Sequence, residues 1–142
     1  MSGDASAEFR LKNDLADLER VAGALWSYCR DHGLSEDESA DIRLAFDEAV
    51  SNTIRHGYTD RNSHEIAVRA SVAGRKLILE IEDDARAFYP LEAPLPDVTL
   101  PAEEKPLGGM GILLIRSVMD EVEYQRRGDR NVLRVVRAIG RA

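Results

Sequence analysis

At 142 residues, 44% hydrophobic and 32% charged, the chain has the size and composition of one globular domain with its own core. A net charge of −7 speaks against a nucleic-acid binder, which carries a basic patch, and favours basic protein partners. The single Cys29 excludes an internal disulfide, the first residues lack a secretory signal, and no apolar run approaches ~18 residues; the expectation is a cytoplasmic protein with no membrane segment.

Residues 7–12 (AEFRLK) alternate and read as a first strand. Asn13 is expected to cap the next helix, with Asp14 and Asp17 in its first turn. Leu15, Leu18, Val21, Ala22, Leu25 and Cys29 recur at helical spacing, and Gly33 is a stop. Ser35 and Glu38 form a capping-box pattern. The helix they open carries Ile42, Ala45, Phe46, Ala49, Val50, Thr53 and Ile54 inward and can end at Gly57. Residues 64–72 alternate as a strand, Ala73-Gly74-Arg75 is a turn, and Leu77, Leu79 and Ile81 lie on a partner strand ending at Asp83.

Residues 84–107 hold all five prolines and little periodicity. A loop this long inside a compact domain is uncommon and often functional, so the stretch is expected to be a lid rather than a passive surface loop. Gly109 to Met119 then reads as a helix, and 121–127 and 131–138 read as strands around a Gly128–Asn131 turn. The strands come mostly as hairpins. The expected fold is a single α/β (α+β) domain over 1–142: a two-layer sandwich whose mixed, mostly antiparallel sheet has three helices on one face.

Three segments carry chemistry. Glu48 and Asn52, in DEAVSN, are four residues apart and share one helix face. Asp83 ends an apolar strand, where it can accept a hydrogen bond from a buried amine. Gly108, Gly109 and Gly111 open a helix, whose bare N–H groups suit phosphate. Together they offer a general base, a metal ligand, a base reader and a phosphate cradle, the parts of an ATP site. No G-x-x-x-x-G-K-S/T run occurs, which excludes a P-loop. Each residue also has a plainer alternative: a solvated helix acid for Glu48, a turn cap for Asp83, a flexible helix start for the glycines.

Residues 41–58 (DIRLAFDEAVSNTIRHGY), 81–90 (IEDDARAFYP) and 107–124 (LGGMGILLIRSVMDEVEY) resemble, in order, the N, G1 and G2 boxes of the GHKL (histidine kinase-like) ATPase superfamily. The likeness is greatest to its anti-sigma factor serine kinases of the RsbW and SpoIIAB type. It covers nearly the whole chain and implies the Bergerat-type ATP-binding fold. It also implies roles: Glu48 as general base for a serine hydroxyl, Asn52 as ligand of Mg²⁺, Asp83 bonding the adenine amine, and Gly109 and Gly111 admitting the phosphates of ATP. His56, Ala85, Lys105 and Gly108 are placed around the nucleotide. The implied partners are a sigma factor and a STAS-domain anti-anti-sigma factor, with the kinase a homodimer that binds neither nucleic acid nor membrane. His56 has a structural alternative at the helix C-terminus, and Lys105 and Arg86 have one as solvated lid charges.

The chain departs from the family pattern at two points. Ala85 stands where the G1 box has a glycine, which adds a methyl and restricts positive φ, and Tyr89 stands where it has an acid. Ala85 is expected to crowd the adenine side. These changes keep open a non-catalytic, partner-binding module of the same fold. A detached ATP-binding domain of a histidine phosphorelay is the other alternative, and water as nucleophile would make the same site an ATPase.

Overall fold

The computed structural model describes residues 5–58, 60–87 and 109–140. In chain order the elements are β1 (Ala5–Lys12), α1 (Leu15–Asp31), α2 (Glu36–His56), β2 (Glu65–Ala73), β3 (Lys76–Asp83), α3 (Gly109–Val118), β4 (Glu121–Arg127) and β5 (Arg130–Ala138). The expected loop is described only as far as Ala87; Tyr89, Lys105 and Gly108 lie outside the described residues.

Asp14 caps α1 in place of Asn13. Its carboxylate accepts the Asp17 N–H at 2.7 Å, and a charged acceptor is favoured at the positive helix end. Asn13 works across the fold instead. Its side-chain oxygen accepts the His64 N–H at 2.9 Å, and its own N–H donates to the His64 carbonyl at 3.0 Å. Leu15, expected on the buried stripe, is 46% exposed at the first turn. Helix α2 starts with the expected capping box: Ser35 Oγ accepts the Glu38 N–H at 3.0 Å, and Glu38 Oε1 accepts the Ser35 N–H at 2.8 Å. Glu38 also reaches the far end of the chain, where Oε2 accepts the Gly140 N–H at 2.5 Å. Arg137 pairs with Asp41 at 2.9 Å, so the last strand is tied to the first turns of α2.

The five strands lie in the order β1-β2-β3-β5-β4, and every pairing is antiparallel. Period-2 alternation sorts each strand between two faces. Leu11, Ile66, Val68, Ala70, Leu77, Leu79, Ile81 and Val135 meet Leu18, Val21, Leu25, Cys29, Ile42, Phe46, Val50, Ile112 and Ile115 in one core under the helices. Cys29 is fully buried there, and burial pushes its thiol up to about 12, so it is inert packing. The opposite face is a lattice of cross-strand ion pairs, including Arg69 with Glu80 and Glu82, Arg130 with Glu82, and Arg134 with Glu123. Such partly exposed pairs contribute only ~0–1 kcal/mol each. They lie among the buried side chains of Val132 and Val136 on that face.

Candidate functional site

The alternation that buries Leu77, Leu79 and Ile81 carries one step further, to Asp83. That step places a carboxylate on the core face at the end of the apolar stripe, 4% exposed. The register sets Asp83 opposite Asn131, and Asn131 opposite Arg126, so one polar row crosses β3, β5 and β4. The Asn131 amide nitrogen donates to Asp83 Oδ1 at 2.8 Å and to the carbonyls of Ala85 and Arg86, both at 3.1 Å. Its oxygen accepts from Arg126 Nη1 at 3.0 Å and from the Tyr124 hydroxyl. Acceptors gather on one end of the amide and donors on the other, which fixes its orientation. Asp83 Oδ1 also accepts the Ala85 N–H at 3.0 Å. Among the described residues nothing bonds Asp83 Oδ2. Burial raises the Asp83 pKa, the Asn131 and Ala85 bonds hold it down, and the charges of Asp84 and Arg130 oppose each other.

The end of α2 rests on this turn. Gly57 is its C-cap, and its carbonyl accepts the Arg86 N–H at 3.0 Å. A Cβ at Gly57 would stand 2.8 Å from the Ala85 methyl and 2.7 Å from the Thr53 carbonyl oxygen. Ala85 is 5% exposed, and no described non-glycine residue has positive φ. Ala85 is therefore packed against Gly57 in an ordinary backbone conformation, and the restriction expected of its methyl does not arise. Upstream on α2, Glu48 and Asn52 sit one turn apart and half-buried. Neither side chain has a partner among the described residues. His56 is exposed at the end of α2 beside Arg55, the place where a cation complements the helix dipole. Helix α3 packs along α2, and Gly109 and Gly111 form its first turn, where backbone N–H groups lack intrahelical acceptors. The structure thus brings Asp83 and Ala85 to the end of the helix that carries Glu48, Asn52 and His56, and packs α3, which the glycines open, against that helix.

Sequence reasoning assigned Asn131 to a turn and missed Arg126, Tyr124 and His64. Asn131 is inside β5, two residues before Leu133, and alternation from Leu133 and Val135 would have turned it inward. His64 lies between two carboxylates, with Nε2 2.8 Å from Asp60 and Nδ1 3.2 Å from Asp84. Asp60, then Asp84, raise its pKa. Its ring stacks on Tyr58, centroids 4.2 Å apart. The Tyr58 hydroxyl is buried beside Asp83 and Asp84 without hydrogen-bond geometry to either, and burial, then those charges, push its pKa up.

The donor set suits nucleotide chemistry. A buried carboxylate with one anchored oxygen can read an exocyclic amine, and helix-start N–H groups can receive phosphate. No group of three or more His, Cys, Asp or Glu side chains could hold a metal among the described residues. A lone amide oxygen at Asn52 suits a hard cation that keeps its waters and phosphate ligands.

The sequence profile of the histidine kinase-like ATPase domain matches residues 11–137. An anti-sigma F factor from Thermoanaerobacter sp. (strain X514) is 30% identical over 105 residues, 73% of each chain. A serine-protein kinase RsbW from Bacillus velezensis is 30% identical over 99 residues, 66% of this chain and 61% of that one. Among solved structures, that of the RsbU and RsbW domains of Rv1364c from Mycobacterium tuberculosis superposes with a TM-score of 0.71 over 97% of this chain, at 18% identity. The match spans 33% of that longer chain, and at this identity the likeness is one of fold.

Proposed function

The chain belongs to the histidine kinase-like ATPase family, and from that membership we propose that it is an ATP- and Mg²⁺-dependent protein serine kinase acting as an anti-sigma factor. Its partners in this reading are a sigma factor and a STAS-domain antagonist that it phosphorylates, and it works in the cytoplasm as a homodimer. No helix among the described residues is long and apolar enough to cross a membrane.

The observation that carries the nucleotide reading is Asp83. It is buried, held at Oδ1 by two N–H donors, and its Oδ2 has no protein donor among the described residues. An adenine amine supplies the missing donor. Asn52 fits Mg²⁺ because its side-chain oxygen is half-buried and uncommitted. When bound, Mg²⁺ neutralises phosphate charge during transfer. Glu48, on the same helix face one turn earlier, takes the proton from the serine hydroxyl at its carboxylate. The first-turn N–H groups of α3 orient the phosphates, with Gly109 and Gly111 leaving the backbone accessible. His56, Lys105 and Gly108 are secondary contacts in this reading, and Ala85 supports the turn beneath the base.

Calorimetric titration with ATP and Mg²⁺ tests binding. Asp83→Asn turns part of the acceptor into a donor, a buried mispairing of ~1–3 kcal/mol, so affinity drops by about tenfold or more. Unchanged affinity places Asp83 outside the base pocket. Radiolabel transfer to a co-purified partner tests the chemistry. An acid-stable phosphoserine supports the kinase, an acid-labile phosphohistidine the phosphorelay domain, and binding without transfer the sequestering module.

A further inference from the structure

We propose that Asn131 is the specificity-positioning residue of the nucleotide site: it holds Asp83 so that the pocket accepts a 6-amino purine and rejects a 6-oxo purine. This rests on the ATP reading above and adds a residue and a substrate distinction to it.

The geometry carries the inference. Asp83 ends β3 on the core face, and burial alone favours its neutral form, in which one oxygen becomes a donor. A neutral Asp83 would offer an O–H to the 6-oxo group of a hypoxanthine or guanine. An ionised Asp83 offers only lone pairs, which match the 6-amino group of adenine and repel a 6-oxo group. The outcome depends on which donors face the carboxylate. Asn131 supplies one at 2.8 Å and the Ala85 N–H the other at 3.0 Å, both to Oδ1. The remaining charged groups around Asp83 are Asp84 on its own turn, Arg130 on β5, and Arg126 reaching across Asn131 from β4. The buried Tyr58 hydroxyl faces it from the end of α2.

Asn131 is well suited to this. Its amide cannot rotate by half a turn, because that would face its oxygen to three acceptors and its nitrogen to two donors. The same nitrogen holds the carbonyls of Ala85 and Arg86, and Arg126 Nη1 holds the Ala85 carbonyl at 2.9 Å. The carboxylate and the turn that follows it are thus positioned by one side chain, itself 6% exposed. Oδ1 is committed and Oδ2 is left for the ligand.

The test compares ATP with inosine triphosphate, each with Mg²⁺, on the full chain by calorimetry across pH. The parent should prefer ATP by about tenfold or more, the factor for one buried donor–acceptor mismatch. In Asn131→Leu, of similar volume but without an amide, ATP affinity should drop about tenfold while inosine triphosphate changes little, so the preference collapses. The acid limb of ATP affinity should also move to higher pH, because Asp83 loses a bond to its charged form and protonates sooner. Asn131→Ser keeps one donor and should fall between, and it serves if the Leu variant does not fold. A role in folding alone lowers both affinities equally and leaves the limb in place; that result in either variant overturns the inference while the ATP reading stands. A parent that binds both equally overturns the inference alone, and one that binds neither nucleotide overturns the ATP reading and the inference with it.

Discussion

Gly57→Ala adds one methyl where the structure has no room for it. The new Cβ would stand 2.7 Å from the Thr53 carbonyl oxygen and 2.8 Å from the Ala85 methyl. Neither neighbour is free to retreat. The Thr53 oxygen already accepts the Gly57 N–H at 2.8 Å. Ala85 is held through its N–H by Asp83 and through its carbonyl by Asn131 and Arg126. Overpacking against fixed neighbours costs about 1–3 kcal/mol. For a chain of this size that is a fall in Tm of about 2–12 °C, read by circular dichroism. ATP affinity should fall with it, because the strain falls on the contact between α2 and the Asp83 turn. Ala85→Gly alone removes a buried methyl, costs roughly 1 kcal/mol, and gives no gain in ATP affinity. The double variant relieves the methyl clash and leaves the Thr53 contact, so it should recover part of the loss, with a coupling of about 0.5–3 kcal/mol. A Gly57→Ala protein that melts with the parent, or a coupling of zero, refutes the packing reasoning. A rise in ATP affinity for Ala85→Gly would restore the sequence-based view that the methyl crowds the base.

Glu48→Ala should keep ATP binding and lose phosphoryl transfer by about 10²–10⁴-fold in a radiolabel assay, and full transfer removes Glu48 as the base. Asn52→Ala should lose both transfer and the Mg²⁺ dependence of binding, and a binding curve that still responds to Mg²⁺ moves the metal elsewhere. His64, whose ordinary pKa of 6.5 is raised in the fold by Asp60 and Asp84, stabilises the protein fully below 6.5 and loses that contribution as pH rises through its folded pKa. Melting curves from about pH 6 to about pH 9 should therefore slope downward across that window in the parent and flatten in His64→Gln. Parallel slopes would show that the carboxylate pair does not act on the ring in solution.

The sequence was most informative where a period or a cap decides the outcome. The capping box at Ser35 and Glu38, the alternation through Leu77, Leu79 and Ile81, and the stop at Gly57 all stand in the structure. It was least informative where two residues compete for one local role. Asn13 and Asp14 are both capping types, and the tertiary bond from Asn13 to the His64 N–H leaves the cap to Asp14. Leu15 fits the helical period yet stands exposed, since periodicity cannot tell how far the sheet reaches beneath a first turn. For the site, Asp83 and the Glu48–Asn52 pair were visible as motif residues. The side chains that position Asp83 were not, because the one that bonds it, Asn131, comes 48 residues downstream and meets it only through sheet register. Ala85 was read as a departure at one position. The structure shows a pair, Ala85 with Gly57, and a single sequence gives no sign that two distant positions share one volume.

Two carboxylates show why burial by itself does not mark a site. Asp47 and Asp83 are both pushed toward the neutral form by desolvation. Asp47 has one long contact, Arg43 Nε at 3.4 Å, and its Oδ1 is sealed from solvent with no partner. Burial, its largest influence, disfavours its charge, the Arg43 guanidinium opposes that, and no second donor orients its oxygens. Asp83 has two N–H donors on one oxygen, at 2.8 and 3.0 Å, and lies where the apolar stripe of the sheet ends. Its second oxygen is oriented by the bonds of the first. Oδ2 takes no hydrogen bond from a described residue, while Asn131, Arg126 and Tyr124 beside it are bonded to one another. In the proposed reading the adenine amine is the donor that completes Oδ2, and that bond would couple the polar end of this core to the nucleotide.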